Sequence, residues 1–263
     1  MEQLRGRVAV ITGGGRGIGR ALALRFATEG ATVVISSRTA SDLDAVLAAV
    51  DAASTDVGGA PAGLAVVADA SDRDDARRPV VEAHERFGRV DILVNNVGGS
   101  VGRHHDPFTG DDESFEGTLT LNLTTAWWTT RAALPIMREQ HHGRVINIGS
   151  GAAKRAAGSV GYTTAKHALV GLTRQLAVAT AEHGITVNCL CPGWTNTSLL
   201  DFEKVAARNG TTVDEAMAVA ERDNAQHRVL EPEELTGMAT LLVSDEGAGI
   251  TGQVISVDGG YRI

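Results

Sequence analysis

Apolar residues along this chain come in two alternating rhythms. Short β-branched runs recur at 7–12, 31–36, 64–68, 90–94, 144–148, 185–190 and 253–257. Between them lie longer stretches with helical spacing or helix-forming composition, among them RALALRFATEG (20–30), SDLDAVLAAVDAA (41–53) and RPVVEAHERFG (78–88). Short apolar runs without polar interruption suit strands buried on both faces. Strands that alternate with helices build right-handed βαβ units around a parallel sheet. The pattern predicts an α/β fold: a doubly wound sheet of about seven parallel strands with helices on both faces. The segment TDVGGAPAG (55–63) is the most loop-like, but it only joins a helix to a strand. No linker divides the chain and no solenoid-length repeat occurs, so residues 1–263 are expected to form a single domain.

The first helix opens on TGGGRGIG (12–19), five glycines in eight residues. Glycines are costly in a helix and supply nothing to pack, so something must approach this backbone closely. In a parallel sheet, ligands bind outside the carboxyl ends of the strands, and a helix N-terminus there presents free N–H groups to a phosphate. The spacing here, T-G-x-x-x-G-x-G, differs from G-x-G-x-x-G. It is not a P-loop either, because Arg20-Ala21 follow Gly19 where Lys-Ser/Thr is required. A tight turn without a ligand would explain the glycines alone. The other strand ends change that. They read Ser36-Ser37-Arg38, Asp69-Ala70, NNVGG (95–99), Gly149-Ser150 and CPGWTNT (191–197), and a parallel sheet brings all of them to one rim.

Composition narrows the partners. The chain carries 24 Lys and Arg against 32 Asp and Glu, a net charge of −8, with a pI of about 5.5. It has no dense basic run, so nucleic acid and anionic membrane are poor partners. No stretch approaches the length of a membrane span, and MEQLRGRVAV has no signal-peptide apolar core. Cys189 and Cys191 stand two apart in a strand-like run, where they cannot form an unstrained disulfide with each other. A cytoplasmic, reducing setting is expected. His104-His105 have no third ligand near them in sequence, so a solvated loop is expected there and no metal. Trp127-Trp128 are expected in a core or an interface. A serine hydrolase elbow fails at 148 and 152, which are Ile and Ala in place of glycine.

Taken together, TGGGRGIG, ADA (68–70), NNVGG, Asn122 in LNLTT, Ser150 in INIGS, YTTAK (162–166) and PGWTNT (192–197) resemble the short-chain dehydrogenases/reductases, in their compact single-domain branch. The resemblance runs from the first strand to ITGQVISVDGG near the C-terminus. It implies a Rossmann-type sheet and an NAD(P)-dependent oxidoreductase that interconverts a carbonyl and a secondary alcohol. There are departures. Val97 stands where Ala is usual, and the loop between Ser150 and Tyr162 is one residue short, so Gly149 falls at the usual serine spacing. The serine role is assigned to Ser150, with 151–158 absorbing the deletion.

The residues support the chemistry independently. Tyr162 and Lys166, four apart in one helical stretch, share a helix face. A free tyrosine holds its proton too tightly for easy exchange at neutral pH, and an adjacent ammonium favours the phenolate. The resemblance then implies Tyr162 as proton donor and acceptor, and Ser150 as stabiliser of the substrate oxygen. It implies Lys166 as binder of the nicotinamide ribose, and Asn122 as holder of a helix distortion and a water. It places the cofactor along Gly13, Gly15, Arg16, Gly17, Ile18 and Gly19, then Ser37, Arg38, Asp69 and Ala70. Contacts continue through Asn96, Val97 and Gly98 to Tyr162, Lys166, Pro192, Gly193, Thr195 and Thr197.

The second strand ends in Ser37-Arg38, without the acid that NAD users place there, and Arg16 sits in the glycine loop. Two guanidinium groups and a hydroxyl suit a 2′-phosphate. NADP(H) is therefore the expected cofactor, with NAD(H) possible. The substrate is a small molecule: a 3-oxoacyl thioester, steroid, sugar or other ketone. Residues 198–228 read as a mostly helical lid. The resemblance also implies a homotetramer, through helices at about 112–137 and 160–182 and the tail SVDGGYRI. The alternative is a non-catalytic NADP(H)-sensing binding protein, and a complete Asn122–Ser150–Tyr162–Lys166 set argues against it.

Overall fold

The computed structural model describes residues 2–56, 63–102 and 106–263. His104 and His105 and most of the loop-like 55–63 segment lie outside the described residues. Seven strands are present: β1 (Val8–Thr12), β2 (Thr32–Ser37), β3 (Leu64–Val67), β4 (Ile92–Asn95), β5 (Gly143–Ile148), β6 (Ile185–Pro192) and β7 (Val254–Val257). They form one parallel sheet in the order β3-β2-β1-β4-β5-β6-β7. The order reverses between β1 and β4, and the crevice for a ligand opens there.

Each central strand is apolar on both sides because both sides are covered. Ala9, Ile11, Val33, Ile35, Ile92, Val94, Ile146 and Leu190 face one core. It is closed by α1 (Gly17–Thr28), α2 (Ala40–Asp56) and later α9 (Thr236–Val243). Val8, Val10, Val34, Leu93, Val145 and Val187 face the other core. That side is closed by α3 (Arg73–Phe87), α5 (Thr125–Glu139) and α6 (Val160–Thr180). Period-two alternation is thus present, but it is invisible in a hydropathy profile because neither face is polar.

Local signals set the helix ends. Asp72 caps α3 by accepting from the N–H groups of Asp74 and Asp75 at 2.9 and 3.0 Å, and Gly88 closes it at φ +72°. The expected single helix over 112–137 is not continuous. It is α4 (Asp112–Leu119), a π-helical turn (Thr120–Thr124) and then α5. Residues 198–228 carry α7 (Phe202–Asn209) and α8 (Val213–Asp223). Trp127 is 39% exposed and Trp128 half-buried under the Arg73 guanidinium, so within this chain neither is a core residue. No helix among the described residues is long and apolar enough to cross a membrane.

The amino ends of the strands meet a charged cluster on the rim opposite the glycine loop. Fully buried Asp91 accepts from the Val8 N–H at 2.9 Å and from both Nε and Nη2 of Arg89 at 2.7 Å. Burial pushes its carboxyl up, but these hydrogen bonds outweigh that and hold it below the usual range. His142 lies beside the cluster with its Nε2 buried and unpartnered. Burial, with Arg144 and Arg7 adding to it, lowers its pKa from 6.5 to about 4.

A histidine with a depressed folded pKa binds its proton more readily when unfolded. Its contribution is therefore full above pH 6.5 and is lost as pH falls from about 6.5 to about 4. The full shift corresponds to about 3 kcal/mol, and solvent screening of the half-buried ring reduces this to about 1–2 kcal/mol. Urea unfolding at pH 7 and pH 4.5 should show this loss in the wild-type chain and largely abolish it in His142→Gln. The window stays above the range in which Asp91 titrates. An equal pH slope in the variant would disprove the assignment.

Candidate active site

The turn between β1 and α1 is built around close backbone approaches. Gly13 takes φ +64° and Gly17 φ +53°, values that favour glycine. A Cβ on Gly13 would sit 2.9 Å from Asn96 Nδ2, and one on Gly19 would collide with the Gly13 carbonyl oxygen. Asn96 ties the turn to the tip of β4. Its Nδ2 donates to the carbonyls of Thr12 and Gly13 at 3.0 and 3.1 Å, and its N–H donates to Thr12 Oγ1 at 3.0 Å. Helix α1 begins without a side-chain cap and without an acidic residue in its first turn. Its leading N–H groups and partial positive charge are thus left for an anion.

A cleft of about 290 Å³ runs along this rim. Gly13, Gly15, Arg16, Gly17 and Ile18 line it, as do Ser37, Arg38, Asp69, Ala70, Asn96, Val97, Gly98, Tyr162, Lys166, Pro192 and Thr197. Gly19 does not line it. It is the crossing point of α1 against the Gly13 backbone. Gly193 and Thr195 do not line it either. Gly193 packs on Asp258, while Thr195 bridges to Leu230 and donates from Oγ1 to the Gly193 carbonyl. Sequence reasoning missed Asp42, Asp75, Pro79, Leu121 and Leu199, which complete the walls. Asp75 accepts from the Asp69 N–H at 3.0 Å and pairs with Arg78 at 2.9 Å, and these two contacts hold its carboxyl below the usual range. The D-x₅-D spacing of Asp69 and Asp75 was the available signal, but it points inward only once the strand end and the helix are placed.

Arg16 and Arg38 are exposed at the cleft and enter no ion pair among the described residues. With Ser37 and the uncapped α1 terminus lining the same cleft, this donor set fits a phosphate-bearing nucleotide. At the other end, Lys166 is buried. Its Nζ donates to the Ile148 carbonyl at 2.8 Å and lies 5.6 Å from the centre of the Tyr162 ring. Asn122 sits in the π-helical turn. Its Nδ2 donates to the carbonyls of Gly99 and Thr118 at 2.6 and 2.8 Å, while Oδ1 accepts from the Gly99 N–H at 3.0 Å. A Cβ on Gly98 would fall 2.8 Å from Asn122 Oδ1 and 3.2 Å from Lys166 Nζ, so that glycine lets strand tip, Asn122 and Lys166 converge.

Ser150 follows the cleft-lining Gly149. Its Oγ accepts from the Ala152 N–H at 3.1 Å and starts a 3₁₀ turn, Gly151–Ala153, where the shortened loop begins. Beneath it, the thiols of Cys189 and Cys191 lie 3.7 Å apart, both fully buried and free. They occupy the space that a side chain at Gly149 would need, since a Cβ there would be 2.6 and 2.7 Å from the two sulfurs.

Comparison with known proteins adds an independent line. A family model described as enoyl-(acyl carrier protein) reductase matches residues 13–262. The short-chain reductase protein NovJ of Streptomyces niveus is 38% identical over 253 residues, covering 96% of this chain and 93% of that protein. The crystal structure of levodione reductase superposes with a TM-score of 0.90 at 32% identity, covering 98% of each chain. A variant of actinorhodin polyketide ketoreductase solved with NADPH superposes at 0.88 with 29% identity, covering 99% of this chain and 98% of that one.

Proposed function

The chain belongs to the short-chain dehydrogenases/reductases, oxidoreductases of carbonyl and alcohol groups, and from that premise we propose an NADP(H)-dependent ketone reductase or alcohol dehydrogenase with Tyr162 as acid/base. The observation that carries this reading is the convergence of Tyr162, Lys166 and the phosphate-fitting α1 turn on one cleft. When bound, the nicotinamide supplies or accepts the hydride. The chain's own residues do the rest. Tyr162 gives its phenolic proton to the substrate oxygen during reduction and takes it back during oxidation. Ser150 donates a hydrogen bond to that same oxygen. Lys166, anchored on the Ile148 carbonyl, sets its amine beside the Tyr162 ring and would hold the nicotinamide ribose. Asn122 pins the π-helical turn against Gly99 and so holds the substrate side in register with Lys166.

The whole chain is read as one unit, with 198–228 as a lid. Support comes from Ser198 and Leu199, which line the cleft at the lid's start, and from Thr197, which packs on Gly17. The two free buried cysteines favour a cytoplasmic setting. Assembly as a homotetramer is supported by exposed apolar side chains on the helices expected to pair: Phe115 on α4, Trp127 on α5 and Val178 on α6.

Tyr162→Phe should retain fold and cofactor affinity and lose about 10²- to 10⁴-fold in kcat, the usual share of a general acid. The assay follows NADPH absorbance against ketones, 3-oxoacyl thioesters, steroids and sugars. A Phe variant with near-normal kcat would refute the mechanism.

The NADP(H) preference rests on Arg16 and Arg38 at the cleft, and the similar ketoreductase was solved with NADPH. NAD(H) is the second reading, because Asp42 lines the same wall and offers a carboxylate to ribose hydroxyls. Arg38→Ala removes charge-assisted hydrogen bonds worth ~1.5–3 kcal/mol. NADPH should therefore bind roughly ten- to hundred-fold more weakly, with NADH unchanged. Titrations at fixed ionic strength decide the matter. A wild-type preference for NADH, or equal loss of both cofactors, would overturn the assignment.

Light scattering at micromolar concentration should give a mass four times that of the chain. A monomer mass would exclude the tetramer.

A further inference from the structure

The turn that carries Ser150 fixes its own shape but not its place. Ser150 Oγ accepts from the Ala152 N–H at 3.1 Å. The Ala153 N–H donates to the Ser150 carbonyl at 2.9 Å, and those of Lys154 and Arg155 donate to the Gly151 carbonyl at 3.1 and 3.2 Å. All of these bonds are local. Among the described residues, the hydrogen bonds that tie 151–155 to distant parts of the chain end on the C-terminal segment. Lys154 Nζ donates to Ser256 Oγ at 2.7 Å, and Arg155 Nη1 donates to the Tyr261 carbonyl at 2.8 Å. The Tyr261 ring also lies against Gly151, so close that a Cβ there would collide with ring atoms Cδ1 and Cε1.

Tyr261 is 5% exposed although only two residues follow it. Chain ends fray unless something ties them down, and here the ties are dense. Gly259 and Gly260, at φ +65° and +76°, turn the tail back along 224–226. There the Gln226 and Ala225 N–H groups donate to the carbonyls of Gly259 and Gly260 at 3.1 and 3.2 Å. The Arg262 N–H donates to the carbonyl of Asp223, the last residue of α8, at 2.7 Å. The Asp223 carboxylate in turn accepts from Arg262 Nε at 3.0 Å and pairs with Arg262 Nη2 at 2.8 Å. It also accepts from Trp194 Nε1 at 3.2 Å. Trp194 meets the Tyr261 ring edge-on, with centroids 6.4 Å apart and planes at 81°.

We propose that Tyr261 is a positioning residue for Ser150: its ring seats the Gly151–Ala153 turn, and Asp223 locks the ring from the end of α8. This rests on the reading of Ser150 as donor to the reacting oxygen. A displaced Gly151 carries the Ala152 N–H away from Ser150 Oγ and frees the hydroxyl to turn elsewhere. A misplacement of about 1 Å near reacting atoms costs on the order of 10²-fold in rate. The role belongs to the ring and its seat, not to the Tyr261 hydroxyl. The end of the 198–228 segment and the serine turn thus share one anchor.

The test has two arms. Hydrogen–deuterium exchange on the protein alone reads the turn without turnover. In Tyr261→Ala the amides of 150–155 should exchange about ten-fold faster, while those of β1 and α1 keep the wild-type rate. Tyr261→Phe, which keeps the ring, should match the wild-type chain at both places. Gly151→Ala opens the same contact from the other side and should act like Tyr261→Ala, so the test survives a Tyr261→Ala chain that does not fold. The second arm follows NADPH absorbance with ethyl acetoacetate, or with whichever ketone of the panel above the wild-type chain reduces. Tyr261→Ala and Gly151→Ala should each lower kcat about ten-fold and leave the KM for NADPH within about two-fold. In a Ser150→Ala background either change should cost less than about two-fold more, because the group it positions is gone. Unaltered exchange at 150–155 overturns the proposal. Faster exchange throughout the chain, or a kcat loss that adds in full to that of Ser150→Ala, makes Tyr261 a packing residue and overturns it too. A wild-type chain that reduces no ketone would sink the proposed reaction, and the exchange comparison would still decide the seat.

Discussion

Everything at the cofactor end depends on one crossing, where helix α1 leaves strand β1 with Gly19 pressed against the Gly13 carbonyl. Two backbones this close exclude any Cβ. The polar groups they expose must then be satisfied from outside, because buried carbonyls without partners are costly. Asn96 does this from the tip of β4, donating to two consecutive carbonyls of the turn. One contact set thus fixes the direction of α1, the separation of β1 and β4 at the switch point, and the aim of the free N–H groups. The rest of the rim is built outward from it: Thr197 onto Gly17, Val97 against Gly13, and Gly98 between Asn122 and Lys166.

The sheet was legible in the sequence because strands buried on both faces leave continuous apolar runs. Each of the seven lies within two residues of its expected place. The start of α3 was not, because four of the five residues Arg73–Arg77 are charged and only the Asp72 cap marks it. The break at Thr120–Thr124 was signalled only by the resemblance, through Asn122, and not by composition or spacing. A π-helical turn adds one residue to the repeat and leaves no mark on composition. At the site, the motif residues around the glycine loop and on α6 reach the cleft, whereas Gly193 and Thr195 do not. Chain proximity to Pro192 does not fix which residues of the irregular segment after β6 reach the cleft, since Thr197 does while Gly193 and Thr195 pack on Asp258 and Leu230. Asp75 was missed for a related reason, since it meets the rim through the Asp69 N–H, which only the folded chain brings near.

The charge balance of the chain works against the anion that its cleft fits. With a net charge of −8, the body as a whole repels a phosphate-bearing nucleotide. Screening limits how far that matters, since the Debye length is about 8 Å at physiological ionic strength. Recognition is then decided by groups at the cleft itself. Of the three acids there, Asp75 is neutralised by its pair with Arg78, while Asp42 and Asp69 share the walls with Arg16, Arg38 and Lys166. Arg16 and Arg38 are not neutralised by ion pairs among the described residues, and the α1 terminus adds about half a positive charge without a competing cap. The local sign is therefore opposite to the global one. That separation suits an acidic protein that must bind a soluble dinucleotide and still not adhere to longer polyanions.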